Sequence, residues 1–164
     1  MIIRFFRHIL TTRASGKHAF PTASLEAIEN RIAQGEKTHR AEVRVIIEPA
    51  MPVNAILDRM TPRERALELF GRYGIWDTQE NNGILVYINL ADRQVDIIAD
   101  RGIAAKVGET EWQNICAIMT FGFAQGHFQE STLTALSAIN TLLQQHFPAA
   151  GTRENVLPDR PILL

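Results

Sequence analysis

Two apolar runs in the middle of the chain, Gly83 to Leu90 and Val95 to Ala99, are rich in Val and Ile and flank Ala91, Asp92, Arg93 and Gln94. Apolar β-branched runs around turn-compatible residues predict an antiparallel hairpin. Residues equidistant from the turn of such a pair face one another. Asn81, Asn82 and Gly83 are therefore expected beside Asp100, Arg101 and Gly102, with Asp77 and Glu80 just upstream of the same edge.

Other periodicities surround this hairpin. Leu25, Ile28 and Ile32 recur at helical spacing after Pro21, in a segment ending near Gly35 to Thr38. Ala41 to Glu48 then changes to a short strand pattern, closed by Pro49 and Pro52, which cannot donate to a ladder. Thr61, Pro62 and Glu64 form a capping signature that opens a helix with Ala66, Leu69, Phe70 and Tyr73 as its inward stripe and Gly74 as its stop. Trp76, just beyond, is expected as a core anchor. Later, Thr110 to Met119 reads as a helix with Trp112, Ile115, Cys116 and Met119 inward, followed by a glycine-interrupted aromatic loop from Phe121 to Phe128. A last helix runs from about Glu130 to His146 on Leu133, Leu136, Ile139, Leu142 and Leu143, and stops at Pro148.

The two ends are less regular. At the start, Ile2, Phe5, Phe6, Ile9 and Leu10 share one helical face, with Arg4, Arg7 and His8 opposite or flanking. Such a helix either docks on the domain or meets a membrane surface or a partner. Residues 149–164, with Gly151, Pro158 and Pro161, read as an extended tail whose Ile162, Leu163 and Leu164 either fill a groove of the same chain or hook a partner. The expected organisation is an N-terminal amphipathic segment over 1–20, a domain over 21–148 and the tail.

Strand, helix and strand from Ala41 to Leu90 form a crossover unit, so the first two strands should be parallel and the hairpin should add an antiparallel third. The fold class expected is α/β, a compact α/β/α sandwich with a small mixed sheet flanked by helices. Glu42 then falls at the same edge as Asn82 and Asp100, while Glu48 and Asp92 fall at the opposite edge.

Composition narrows the chemistry. With 164 residues, 46% hydrophobic and 21% charged, the chain is long enough for one sizeable core. A formal net charge of -1 gives no whole-chain attraction to nucleic acid. Arg63, Arg65 and Arg72 share a helix, but Glu64 and Glu68 interrupt them, so nucleic acid is not an expected partner. A single cysteine, Cys116, excludes an internal disulfide and a cysteine-rich metal site, and no basic residue follows it in Ala117 to Gly122 to cradle phosphate. The histidines have neither metal-ligand spacing nor a nearby nucleophile turn, and no glycine-rich phosphate loop is present. The start lacks the uninterrupted apolar core of a signal peptide and no run reaches transmembrane length, so the expected location is the cytoplasm, including the periphery of a membrane.

The stretches GIWDTQENNGILVYI, LADRQVDIIADRGI and FAQGHF, in this order, with VG and Trp112 between and ENVLPDRPILL at the close, resemble the TPM domain family. These are thylakoid-lumen-phosphatase-like domains of bacteria and plants, and the likeness, over about Ser24 to Phe147, is to a short soluble bacterial branch. The resemblance implies a TPM-like α/β/α fold with a polar site at the sheet edge, where some relatives bind a divalent cation such as calcium. Acid phosphatase activity is attributed to plant relatives, and others serve in photosystem repair or receptor modulation. This chain lacks the acidic residues that secreted members carry in the segment HAFPTAS, and it has Asp100 and Arg101 where those members tend to have a glycine-rich turn.

By their own chemistry, Asp77, Glu80 and Asp100 with the amides of Asn81 and Asn82 are hard oxygen ligands suited to Ca2+ or Mg2+, and zinc is disfavoured. The candidate metal ligands are Asp77, Asn81, Asn82 and Asp100; Arg101 and Glu42 are candidates for substrate binding or an ion pair. A structural turn network and an anion site are the alternatives for the same residues. Two functions follow: a non-enzymatic binding or scaffold module for an unidentified protein partner, membrane-associated in one version, or a divalent-metal-assisted acid phosphatase acting on phosphate monoesters.

Overall fold

The computed structural model describes residues 2–151 and 155–164. Met1 of the expected N-terminal segment and residues 152–154 of the expected tail lie outside the described residues. Strands β1 (Glu42–Glu48), β2 (Gly83–Asn89), β3 (Gln94–Ala99) and β4 (Ile162–Leu163) form one sheet in the order β3-β2-β1-β4. As expected, β1 runs parallel to β2, with Glu42 opposite Gly83 and Glu48 opposite Asn89, and β3 runs antiparallel to β2.

The strands are apolar on both faces because helices cover both. Val43, Val45 and Ile47 of β1 join Ile84, Val86 and Ile88 of β2 on one face, against α3 (Thr22–Gly35), α7 (Glu109–Ala124) and α8 (Phe128–His146). Ile46, Leu85, Tyr87 and Ile98 point the other way, against Ala66 and Leu69 of α5 (Pro62–Arg72), Ile75 and Leu157. Alternation along each strand thus sorts one sequence into two cores. The capping box of Thr61 and Glu64 that opens α5 is present, with each side chain bonded to the other's backbone N–H. It holds the Glu64 carboxyl below its ordinary pKa through the Thr61 N–H.

Several expectations change. The expected N-terminal helix is α1 (Ile2–Leu10), and three short helices stand where the sequence shows none: α2 (Arg13–Ala19), α4 (Val53–Leu57) and α6 (Arg101–Ala104). The glycine-interrupted stretch after Met119 is not a loop up to Phe128; α7 continues to Ala124 and α8 already begins at Phe128. Gly122 lies within α7 where α8 crosses closely, and a Cβ on it would fall 2.3 Å from the Cβ of Ser131. Trp76 is not a core anchor: the turn after α5 buries Ile75 completely and leaves Trp76 54% exposed. Cys116 is half-buried against the first core, and burial pushes its thiol up to about 12.

The apolar end of the tail does not wait for a partner. Ile162 and Leu163 pair with Ile46 and Ile47 as a parallel edge strand, and Leu164 N–H donates to Ile47 O at 3.0 Å. Arg44 fastens the approach, donating from Nη1 to the carbonyls of Pro158 and Arg160. No helix among the described residues is long and apolar enough to cross a membrane.

Candidate functional site

The hairpin register brings Asn81, Asp100 and Arg101 together where β2 begins. Asn81 adopts a left-handed backbone, φ 52°, and its carbonyl accepts Gly102 N–H at 2.9 Å. Gly83 follows because the chain doubles back closely: a Cβ there would lie 1.9 Å from Ile75 O. Asp100 N–H donates to Gly83 O at 2.9 Å, closing the edge across the two strands. The Asp100 side chain then caps α6, its Oδ1 accepting Arg101 N–H at 2.7 Å.

Among the described residues Arg101 has no carboxylate partner. Its Nε donates to Asn81 Oδ1 at 3.0 Å, an amide oxygen. Glu42 is fully buried, and its Oε2 accepts Leu157 N–H at 3.0 Å, so it anchors the tail. Asn82 is buried too: Nδ2 donates to Arg40 O, the backbone N–H to Thr78 Oγ1 at 3.0 Å, and its carbonyl accepts Glu42 N–H at 3.1 Å. Glu80 pairs with Arg40 Nη1 at 2.7 Å. Asp77 is exposed and makes no side-chain bond to Asn81, Asn82 or Asp100.

Asp100 Oδ2 is buried with no hydrogen-bond partner among the described residues. A cation at this edge would draw on that oxygen, since Asn81 Oδ1 is held by Arg101 and Asn82 by the backbone. Such a donor set falls short of the six to eight oxygens calcium takes and is nearer the one or two carboxylates plus waters that hold magnesium. No group of three or more His, Cys, Asp or Glu side chains placed to hold a metal ion occurs among the described residues.

The opposite end of the sheet carries a denser polar assembly that sequence reasoning did not connect. Glu48 accepts from Arg65 Nη2 at 2.7 Å and from Tyr87 Oη at 2.6 Å, and Asn89 Nδ2 donates to Tyr87 Oη at 2.9 Å. Burial first, then the neighbouring Glu48 carboxylate, pushes the Tyr87 hydroxyl well above its usual pKa, so it serves as a donor. Asn89 Oδ1 accepts Asp92 N–H at 2.8 Å and so presents the Asp92 carboxylate to α1. There Arg4 Nη2 lies 2.8 Å and His8 Nε2 3.2 Å from it, and Arg7 Nη2 at 3.5 Å. His8 Nδ1 accepts Met51 N–H at 3.0 Å, which places the ring proton on Nε2, toward Asp92. Burial opposes ionisation of Asp92, but the hydrogen bonds from Arg4 and the approach of His8 outweigh it and lower its pKa. Beside this end, His18, Leu90, Arg93, Phe123 and Phe128 line a cavity of about 610 Å³. In the sequence the crossover and the hairpin put Glu48 and Asp92 at this end, but nothing there pointed to Arg65, Tyr87, Arg4 or His8 as their partners.

No curated protein matches the sequence. In fold the chain is similar to the BA42 protein of the psychrophilic bacterium Bizionia argentinensis, at 23% identity and a TM-score of 0.77, covering 88% of this chain and 94% of that one. It is also similar to the N-terminal domain of a P. gingivalis protein, at 17% identity and a TM-score of 0.60, covering 80% of this chain and 82% of that one. These identities speak for the fold alone. The β1 to β3 sheet and the edge at Asn81 and Arg101 all lie within residues 16–142, which match the TPM domain model, and the chain belongs to the TPM domain family.

Proposed function

We propose that the protein is a non-enzymatic binding module. The observation that supports this reading is the seating of α1: Arg4 and His8 face the domain, while Ile2, Ile3, Phe6, Ile9 and Leu10 are exposed. Contiguous apolar surface on a folded chain is characteristic of a contact with something outside it. The hairpin edge agrees, because Asn81, Asn82, Glu42 and Arg101 are engaged in bonds that hold loops and strands to one another. A photo-cross-linker at Phe6, introduced in cells, should capture protein or lipid, and one at the exposed Gln79 should not; equal capture at both positions would remove the reading.

One observation favours a second reading, the divalent-metal-assisted acid phosphatase: the unpartnered, buried Asp100 Oδ2. The purified protein, supplied with Ca2+, Mg2+ or Mn2+ and a chromogenic phosphate monoester, is expected to show no turnover above buffer. Turnover that disappears in Asp100→Asn while the fold persists would transfer the assignment to the phosphatase.

A further inference from the structure

Helix α1 is amphipathic, and it is mounted with its charged side in. At 100° per residue Ile2, Ile3, Phe6, Ile9 and Leu10 fall within one arc, opposite Arg4 and His8. Arg4 and His8 are drawn inward by Asp92, and Phe5 packs on the small cluster of Met51, Ala55 and Ile56. The five apolar side chains are left between 51% and 78% exposed, and Val53 and Leu57 of the neighbouring α4 are exposed as well.

The charge around this patch chooses among occupants. Residues 1–25 carry Arg4, Arg7, Arg13 and Lys17 and no acid; with the Asp92 carboxylate that Arg4 and Arg7 share, this corner keeps a local +3 in a chain whose net charge is -1, which leaves -4 on the remainder. Arg59 and Arg93 are exposed and adjoin Met60 and Asp92, two of the residues that Arg4 binds, and the exposed Asp58 beside Arg59 is the acid at this rim. An apolar helix face rimmed by arginine and lysine fits the boundary between anionic headgroups and acyl chains. A second copy of the chain would set the same basic rim against itself, which disfavours self-association.

We propose that this face seats the protein on an anionic membrane surface, with α1 lying in the headgroup layer and the Asn81 edge turned away from it. The proposal rests on the binding-module reading and names its partner. A nine-residue helix inserts little apolar area, so attachment is peripheral, reversible and dependent on charge.

The full chain is sedimented with vesicles of phosphatidylcholine alone and of phosphatidylcholine mixed with phosphatidylglycerol. Binding to the anionic vesicles is expected to be at least about tenfold stronger, and to be lost near 1 M salt, where screening acts over roughly 3 Å. Phe6→Ser with Ile9→Ser, and separately Arg13→Glu with Lys17→Glu, should each weaken it by about tenfold or more while circular dichroism is unchanged; all four residues are exposed, so the fold is retained. Equal binding to both vesicle types, or variants that bind like the wild type, would overturn the proposal. Indifference to both vesicles together with Phe6-dependent dimers in sedimentation velocity would overturn it and leave the binding module standing. Failure of the Phe6 cross-linker as well would remove both.

Discussion

At the scale of single residues, the most consequential placement is Arg65. Lying next to Ala66 on α5, and in the sequence only one of three arginines that share this helix with Glu64 and Glu68, it is just 5% exposed and donates from Nε and Nη2 to Glu48. A long side chain reaches inward from the border of a helical stripe, which periodicity does not register. Removing one partner of a buried pair leaves the other charge without compensation, at about 3–5 kcal/mol. Glu48→Ala should fall at the lower end of that range, because Arg65 keeps Glu68 at 2.8 Å. Tyr87→Phe deletes one donor to the same carboxylate and should lose about 1.5–3 kcal/mol, the range for hydrogen bonds to charged groups. Urea denaturation of the two variants measures the order; a larger loss from Tyr87→Phe would show that the hydroxyl, rather than the guanidinium, holds Glu48 in place.

At the scale of elements, what was legible depended on how local the cause was. The hairpin, its register and the parallel crossover follow from apolar runs, a turn and a handedness rule, and all three are present. Helix α5 was legible because its capping box is written in three adjacent residues. The orientation of α1 was not, since the groups that turn its charged side inward, Asp92, Met51 and Met60, come from loops after β1 and β2. The same holds at the candidate site: Asn81 near Arg101 followed from register, whereas the destination of Glu42 depended on Leu157, which the tail delivers. Strand β4 was also hidden, because a two-residue strand has no period to detect. It covers the outer edge of β1 next to two half-buried apolar side chains. Truncation after Arg160 would remove roughly half of the 1.5–3 kcal/mol that full burial of each large apolar side chain provides, plus the ladder bonds, or about 2–4 kcal/mol in all. It would also expose an unpaired edge, so concentration-dependent aggregation on light scattering should accompany the lower denaturation midpoint. An unchanged midpoint would mean that the bonds from Arg44 to the Pro158 and Arg160 carbonyls carry the tail.

At the scale of the whole molecule, the two ends of one sheet have different physical characters. The end bearing Asn81 and Asp100 is closed by backbone hydrogen bonds and a short helix cap; the end bearing Asp92 is held by ionisable groups, and it carries α1 and the basic rim. Acid should therefore open the molecule from one end. Asp92 has a lowered pKa in the folded state, so the stability it contributes is complete above the ordinary carboxylate value of about 3.9 and is lost as pH falls through the depressed one. Protonation removes the charge that Arg4 and His8 face, and the helix keeps the packing of Phe5 on Met51, Ala55 and Ile56 with the bonds from Arg4 to Met60 O and from Met51 N–H to His8 Nδ1. Between roughly pH 4 and the global acid transition, amide exchange in residues 2–10 should rise while β1 and β2 stay protected. Asp92→Asn should produce the same exposed α1 at neutral pH, with the two cores intact. Should α1 remain protected in Asp92→Asn, apolar packing rather than the carboxylate would be what mounts the helix, and its outward-facing apolar side would need another cause.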